Sequence, residues 1–226
     1  MDSELEQEMM SYYDERAEEY EEFYSGMGPA IPVPSAYKGD VAAATEMASE
    51  FGTGHLIDIG CGTGFWLPYY EGNCSQVTLI DQSERMLLEC RKRASQIGAQ
   101  AKCSFIHGDF FATTLEARPF DSAILGFFLS HLPVERERTF FAKLRSILRP
   151  GAPLMVIDSG WSRTREHHRQ KEGVLERALK DGRRFRVLKR YFTGPDLEGM
   201  LEGNSFDLDS VHSGEVFLAA VAKNRV

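Results

Sequence analysis

Five short apolar runs recur through the middle of the chain, separated by longer segments with helical periodicity. The runs are His55–Gly60, Gln76–Asp81 and residues 101–109, 119–127 and 152–159. Their apolar residues are mostly continuous rather than alternating with polar ones, which is typical of strands that are covered on both faces. The order of strands and helices therefore predicts a parallel sheet with helices packed on both sides.

Helical segments with recognisable ends lie between and before these strands. Ser83 precedes the clearest of them and Gly98 follows it, and these residue types commonly begin and end a helix. Further helices are predicted over residues 2–24, 36–51 and 134–151.

The pattern changes after residue 159. A basic stretch with few apolar residues, Trp161–Arg184, precedes a predicted strand near Arg186–Phe192, a helix near Pro195–Leu201 and a last strand near Val216–Ala222. Together with the five central runs, this gives seven strands. We predict an α/β fold with a doubly wound, mostly parallel seven-stranded sheet, helices on both faces and an antiparallel last strand.

Composition limits the class of protein. The 226 residues, 42% of them hydrophobic, can form one domain with a substantial core. No apolar run reaches the length of a membrane span, and the acidic N-terminus is unlike a signal peptide, so no membrane association is expected. The net charge of −8 argues against general binding of nucleic acid.

Cysteine usage gives no sign of a metal or of disulfides. The four cysteines form no C-x-x-C pair and have no histidines at ligand spacing. We therefore expect neither a metal site nor a disulfide framework, and the cytoplasm is the default location.

A glycine-rich turn follows the first central strand, in the segment HLIDIGCGTGFW from His55 to Trp66. The dinucleotide fingerprint G-x-G-x-x-G fails at Phe65, and no lysine follows as a phosphate-binding loop requires. An acidic residue, Asp81, ends the next strand, where it can accept hydrogen bonds from both hydroxyls of a ribose. Apart from Lys38, no lysine or arginine lies between Arg16 and Arg85, so the turn favours an adenosine ligand without phosphates.

At these positions the sequence resembles the class I, seven-stranded family of S-adenosylmethionine-dependent methyltransferases. Five motifs occur in the family's order over roughly residues 36–222. They are DIGCGTG from Asp58 to Gly64, DQSERML from Asp81, HGDF from His107, FDSAILGFFLSHLP from Phe120 and LRPGAPLMVID from Leu148.

The resemblance implies S-adenosylmethionine as the cofactor and assigns its contacts. The glycines Gly60, Gly62 and Gly64 would approach the methionine part, and Asp81 would hold the ribose. Asp58, in the same motif as the glycines, is also assigned to the cofactor site. The residues implied around the adenine are Gln82, Met86, Gly108, Asp109 and Phe110. The backbone near Leu125 and Gly126 would meet the methionyl amino group, and Tyr13, with Tyr20, would cover the cofactor. The alternatives are a plain turn at the glycines, a turn cap at Asp109, a core position at Met86 and aromatic packing of the arm.

Methyl transfer is an in-line displacement, so positioning can supply much of the rate, and a general base is needed only for a poorly ionised acceptor. The candidates for catalysis or acceptor contact are His131, at the end of the fourth-strand motif, and His167 and His168 in the basic stretch. His131 could instead cap a helix, and His167 and His168 could be ordinary surface residues.

The chain carries no appended recognition domain, so we expect an enzyme that methylates a small-molecule acceptor and is a monomer or a homodimer. Two alternatives remain: a non-catalytic scaffold or sensor that binds S-adenosylmethionine, and a protein or RNA methyltransferase. The Asn/Asp-Pro-Pro-Tyr signature for planar amino acceptors is absent after the fourth strand, where GFFLSHLP stands, and its absence weakens the last alternative.

Charge is unevenly spread along the chain. Residues 1–24 have a net charge of −9, whereas residues 161–190 have a net charge of +7. We predict that residues 1–34 form an arm or lid on a methyltransferase domain over residues 35–226, with residues 160–190 as a substrate cap. The arm's acids would face the basic segment and its tyrosines would face inward. Alternatively, the basic segment attracts an anionic acceptor or partner.

Overall fold

The computed structural model describes residues 3–27, 34–117, 119–167 and 169–225. The strands are β1 His55–Ile59, β2 Gln76–Asp81, β3 Cys103–His107, β4 Ser122–Gly126, β5 Pro153–Ser159, β6 Glu172–Ala178, β7 Arg184–Arg190, β8 Phe206–Ser213 and β9 Phe217–Asn224. The α-helices are α1 Ser3–Glu15, α2 Pro34–Ser49, α3 Leu67–Tyr70, α4 Glu84–Gln96, α5 Val134–Ile147, α6 Arg163–Glu166 and α7 Gly194–Gly203.

A seven-stranded sheet with the order β3-β2-β1-β4-β5-β9-β8 forms the centre of the molecule. The first five strands are parallel, and β9 runs antiparallel between β5 and β8. The predicted fold class and the antiparallel last strand are therefore confirmed.

Both faces of the sheet are covered, which explains the continuous apolar strands. Neighbouring residues of β1 point to opposite faces, so that Leu56 and Ile57 belong to different core clusters although both are fully buried. Helices α2 to α4 contribute to the first cluster, and α5 and α7 contribute to the second.

The sequence misassigned one of the seven strands. The strand predicted near Arg186–Phe192 is β7, which pairs with β6 in a separate two-stranded ribbon and not with the central sheet. Its place at the edge of the sheet is taken by β8, which the sequence pattern did not reveal. Both β6 and β8 carry charged residues on an exposed face, so neither has the continuous apolar run that marks the central strands.

The N-terminal arm folds as α1 followed by a 3-10 helix, Ala17–Ser25. Tyr12 of α1 is only 2% exposed and packs in a small cluster with Leu179 and Val187 of the ribbon region. Tyr24 stacks on Phe65 beside the glycine turn, with 3.7 Å between the ring centroids. The arm is therefore attached to both the ribbon and the central domain. Within the described part of the chain, no helix has the length and apolarity needed to cross a membrane.

Candidate functional site

A cavity of about 560 Å³ opens at the carboxyl ends of β1 to β4, where ligands bind in open parallel sheets. Its floor is formed by the residues that follow these strands. Its roof is the arm, which contributes Glu6, Met10, Tyr13, Asp14 and Tyr20 among other residues. The cavity therefore lies between the N-terminal arm and the carboxyl ends of the central strands.

The glycine turn bends the backbone into the cavity wall. Gly60 and Gly62 have φ angles of 69° and 53°, in the left-handed region that residues with a Cβ atom rarely adopt. A Cβ atom on Gly60 would lie 2.8 Å from Cδ2 of Phe128. The amide of Gly60 donates to the carbonyl of Ile80 in β2, which fixes the turn on the sheet. Glycine is therefore required here both by the backbone angle and by the close approach of Phe128.

Asp81 connects this turn to the start of α4. Its Oδ2 accepts a hydrogen bond from the amide of Gly62 and its Oδ1 accepts one from the amide of Ser83, both at 2.8 Å. Burial raises the pKa of Asp81, and these amides oppose that shift. The amide of Gln82 opposes the shift as well. A carboxylate has about four acceptor positions, so at least one remains for a hydroxyl group of a ligand in the cavity.

Nine of the residues that the resemblance assigns to the cofactor line this cavity. They are Tyr13, Gly60, Gly62, Asp81, Gln82, Met86, Gly108, Phe110 and Gly126.

Four other residues assigned to the cofactor lie outside the cavity lining. Gly64 faces Cys90, and Leu125 is fully buried in the core. Asp109 accepts hydrogen bonds from the side chain of Gln82 and from the amide of Phe111, so it orients the turn that holds Gln82. These positions support the lining rather than forming it.

Asp58 is the fourth of these residues and lies buried beneath the turn. Its Oδ2 accepts a hydrogen bond of 2.7 Å from the hydroxyl of Tyr70. Burial raises the pKa of Asp58 to about 7, an effect that the Tyr70 hydrogen bond opposes.

His131 lies at the cavity with a defined tautomer. Its Nδ1 is 2.8 Å from the carbonyl oxygen of Leu188, which can only accept, so Nδ1 carries the proton. Its Nε2 therefore accepts from the hydroxyl of Tyr13, at 2.7 Å. Burial lowers the pKa of His131 well below its usual value, and the charge of Lys189 lowers it further. His131 is thus a neutral base with its lone pair directed at Tyr13.

The other two histidine candidates are not at this position. His167 is exposed at the end of α6 and lines neither of the cavities described here. His168 lies outside the described residues. In the ranges that the structure describes, no group of His, Cys, Asp and Glu side chains is arranged to hold a metal ion.

Ion pairs join the arm to the basic segment and to the central domain. Arm pairs with the ribbon region include Glu8–Arg186, Glu15–Arg183 and Glu22–Lys180. Arm pairs with the central domain include Glu6–Arg136, Glu15–Arg85 and Glu21–Arg93. The sequence pattern anticipated the first set and not the second.

Sequence reasoning also missed a second, smaller cavity of about 60 Å³ beside the first. The two cavities share Tyr13, Tyr20, Phe127 and His131 as a common wall. Phe127 has a φ angle of 56°, a strained backbone conformation for an aromatic residue. No sequence signal indicates this angle, because phenylalanine ordinarily avoids it.

Comparison with known proteins identifies the domain. A family model described as a methyltransferase domain matches residues 56–151. The ubiquinone/menaquinone biosynthesis C-methyltransferase UbiE of Paracoccus denitrificans is 36% identical over 109 residues, covering 46% of this chain and 42% of that protein. The chain thus spans less than half the length of this curated relative.

Two solved structures are similar along nearly the whole chain. A DhpI–SAH complex has 25% identity and a TM-score of 0.77, covering 100% of this chain and 99% of the other. A DhpI–SAM–HEP complex has 27% identity and the same TM-score, covering 98% and 99%. Residues 56–151 thus match a methyltransferase domain, and the strand order and the overall likeness show the α/β fold of S-adenosylmethionine-dependent methyltransferases.

Proposed function

We propose that this protein binds S-adenosylmethionine in the large cavity and transfers its methyl group to a small-molecule acceptor. The observation that carries the proposal is the position of Asp81 in the cavity lining, where it is hydrogen-bonded to the turn of Gly60 and Gly62. The methyltransferase names of the similar proteins support the same activity.

The lining residues fit the parts of the cofactor. Asp81 would accept hydrogen bonds from the ribose hydroxyls, and the backbone of Gly60 and Gly62 would contact the methionine part. The apolar side chains of Met86 and Phe110 would enclose the adenine. Bound S-adenosylmethionine supplies a methyl group on a positively charged sulfur. An acceptor nucleophile can attack the methyl carbon in line, and the sulfur then leaves as the neutral thioether.

Exclusion of water follows from the roof that the arm provides. Tyr13 and Tyr20 close the cavity from the arm side, and Phe127 and Phe128 close it from the end of β4. An enclosed site of low polarity strengthens the electrostatic interactions of a charged reactant and positions the acceptor.

His131 is the general base of this proposal. Its neutral state and the lone pair on Nε2 allow it to take a proton from an acceptor hydroxyl that replaces the hydroxyl of Tyr13. The acceptor atom would then lie at the wall that the two cavities share.

The test begins with calorimetry of the purified chain with S-adenosylmethionine and S-adenosylhomocysteine. Both should bind with one site per chain. Formation of S-adenosylhomocysteine is then measured across a panel of small acids, alcohols, thiols and amines. Turnover with any of them supports the enzyme, whereas cofactor binding without turnover in a broad panel and in cell extract would favour the scaffold. Absence of cofactor binding would contradict the proposal altogether.

A further inference from the structure

The small cavity is lined by cations from four elements of the fold. They are Arg16 of the arm, Arg165 of α6, Arg169, Arg177 of β6 and Lys189 of β7. Among the residues that the structure describes, no aspartate or glutamate lines this cavity. Residues far apart in the sequence thus bring positive charge together at one small enclosed space.

Two of these cations are buried. Arg165 is 5% exposed and Lys189 is 6% exposed, and burial of a charge is costly unless an opposite charge compensates it. Nη2 of Arg165 donates to the carbonyl of Val216, while its buried Nε has no hydrogen-bond partner among the described residues. Nζ of Lys189 donates to the hydroxyl of Ser130 and lies 3.5 Å from Nε2 of His131.

A neighbouring buried arginine has its positive charge compensated by carboxylates of the protein itself. Arg190 directly follows Lys189, and its guanidinium pairs with Glu137 and Glu172. By contrast, no salt bridge to a carboxylate of the described ranges is formed by Arg165, Arg177 or Lys189.

The carboxylate of Asp158 raises the pKa of Lys189 through its charge. Its oxygens accept hydrogen bonds from the amides of Ser130 and Ser159 and form no salt bridge with Lys189. The pKa of Lys189 is lowered to about 7, chiefly by burial, an effect that Asp158 opposes and Arg177, Arg165 and Arg16 reinforce. An anion in the cavity would reverse this shift and restore the charged form.

We propose that the small cavity binds a compact anionic group, a carboxylate or a phosphoryl group, that belongs to the methyl acceptor. This inference rests on the proposed function and names its substrate class. Arginine forks suit the paired oxygens of both groups, and the unpartnered Nε of Arg165 is a donor of this kind. The cavity volume of about 60 Å³ admits only a small group.

The shared wall determines what the anion does for the reaction. Tyr13, Tyr20, Phe127 and His131 separate the anion from the cofactor cavity. An acceptor anchored by the cations therefore reaches the methyl group past His131. The cations thus select the acceptor by its charge and set its distance from the cofactor.

The test uses inorganic phosphate and acetate as probes, titrated by calorimetry into protein saturated with S-adenosylhomocysteine, at constant ionic strength with chloride. Either probe should bind to the wild-type protein. Arg165→Met and Lys189→Met should each weaken that binding by about tenfold or more, while affinity for S-adenosylhomocysteine stays within about twofold. Arg184→Met is the matched control, because Arg184 lies on β7 outside the cavity and pairs with Glu176.

Folding of each variant is checked by its affinity for S-adenosylhomocysteine and by circular dichroism. If the buried positions fail to fold when changed, Arg177→Met serves instead, because Arg177 is only partly buried. Equal binding of the probes by wild type and by folded variants overturns the proposal.

Saturation with S-adenosylhomocysteine separates this proposal from the alternative that the cations hold the carboxylate of the cofactor itself. Phosphate binding that the free protein shows and the saturated protein loses would overturn the acceptor assignment. Failure of S-adenosylhomocysteine to bind would contradict the proposed function, whereas loss of phosphate binding in the variants would still support an anion site.

Discussion

The hydroxyl of Tyr13 lies 2.7 Å from Nε2 of His131 and joins the N-terminal arm to the end of β4 across 118 residues of sequence. Nδ1 of His131 donates to the carbonyl of Leu188, and the lowered pKa favours the neutral Nδ1–H tautomer, in which Nε2 accepts from Tyr13. The protonation state of this partly buried histidine can be measured without knowledge of the acceptor.

Nitrogen-15 NMR should therefore show His131 protonated on Nδ1 alone and untitrated between about pH 8 and pH 6, because its pKa lies well below its usual value. Tyr13→Phe should shift the Nε2 resonance and leave Nδ1 protonated. The lowered pKa means that the folded state binds fewer protons than the unfolded state as the pH falls below about 6.5. His131 should thus contribute to loss of stability in acid. A resonance that titrates near pH 6.5 would contradict this assignment.

Asp81→Ala should lower the affinity for S-adenosylmethionine by about tenfold or more, since each hydrogen bond to a charged group contributes roughly 1.5–3 kcal/mol. Asp109→Ala is the informative comparison. Asp109 lies outside the cavity lining and acts through Gln82, so its replacement should cost clearly less affinity. Calorimetry with both variants decides between these positions, and an equal loss would place Asp109 in the binding surface.

Asp58 should make stability depend on pH in a known direction. Its folded pKa of about 7 lies above the ordinary value of 3.8, so the folded state binds the extra proton between these values. The free energy of unfolding should fall as the pH rises through this window, by at most about 1.4 kcal/mol per pH unit from this group. Asp58→Asn should remove that contribution, so that denaturant titrations of the variant show a shallower decline from pH 4 to 7. An unchanged slope would show that Asp58 is ionised in the folded protein.

Deletion of residues 1–15 should raise the dissociation constant of S-adenosylmethionine, because it removes part of the cavity roof but keeps Tyr24 on Phe65. The control replaces Glu8, Glu15 and Glu22 with glutamine and keeps the tyrosines. Exposed ion pairs contribute only about 0–1 kcal/mol each, so the control should bind more tightly than the deletion variant. Added salt should likewise weaken binding less than the deletion does. A deletion variant with unaltered affinity would show that α1 contributes nothing to the site.

Gly60→Ala should be more harmful than Gly98→Ala, although both glycines have φ angles near 70°. The strain of the left-handed backbone, about 1–2 kcal/mol, is common to both variants. Only at Gly60 does the new methyl group meet a close neighbour, the ring of Phe128, whereas Gly98 faces open space. Thermal unfolding and calorimetry with S-adenosylmethionine should both show the difference. Equal effects would mean that Phe128 moves aside freely.

The central sheet could be predicted from sequence because β1, β2, β4 and β5 are buried on both faces and so read as continuous apolar runs. The ribbon could not, since Glu172–Ala178 alternates half-buried and exposed residues and only pairing with β7 makes it a strand.

The candidate site likewise has a part that sequence identifies and a part that it does not. The glycines and Asp81 can be recognised in the sequence because they lie in one turn and at the end of the next strand. The cation cavity was hidden in a basic segment in which Lys189 is buried and Arg186 is exposed, and sequence alone does not distinguish the two. Burial of a charged residue depends on what packs against it, here the arm.

The ribbon of β6 and β7 shares no strand pairing with the seven-stranded sheet. Because the sheet carries the glycine turn and Asp81, mutations in the ribbon can accumulate without disturbing those elements. A different hairpin in this place would therefore leave the glycine turn and Asp81 unchanged, but it would have to supply again the carbonyl that Leu188 offers to His131 and the apolar contacts that hold Tyr12 of the arm.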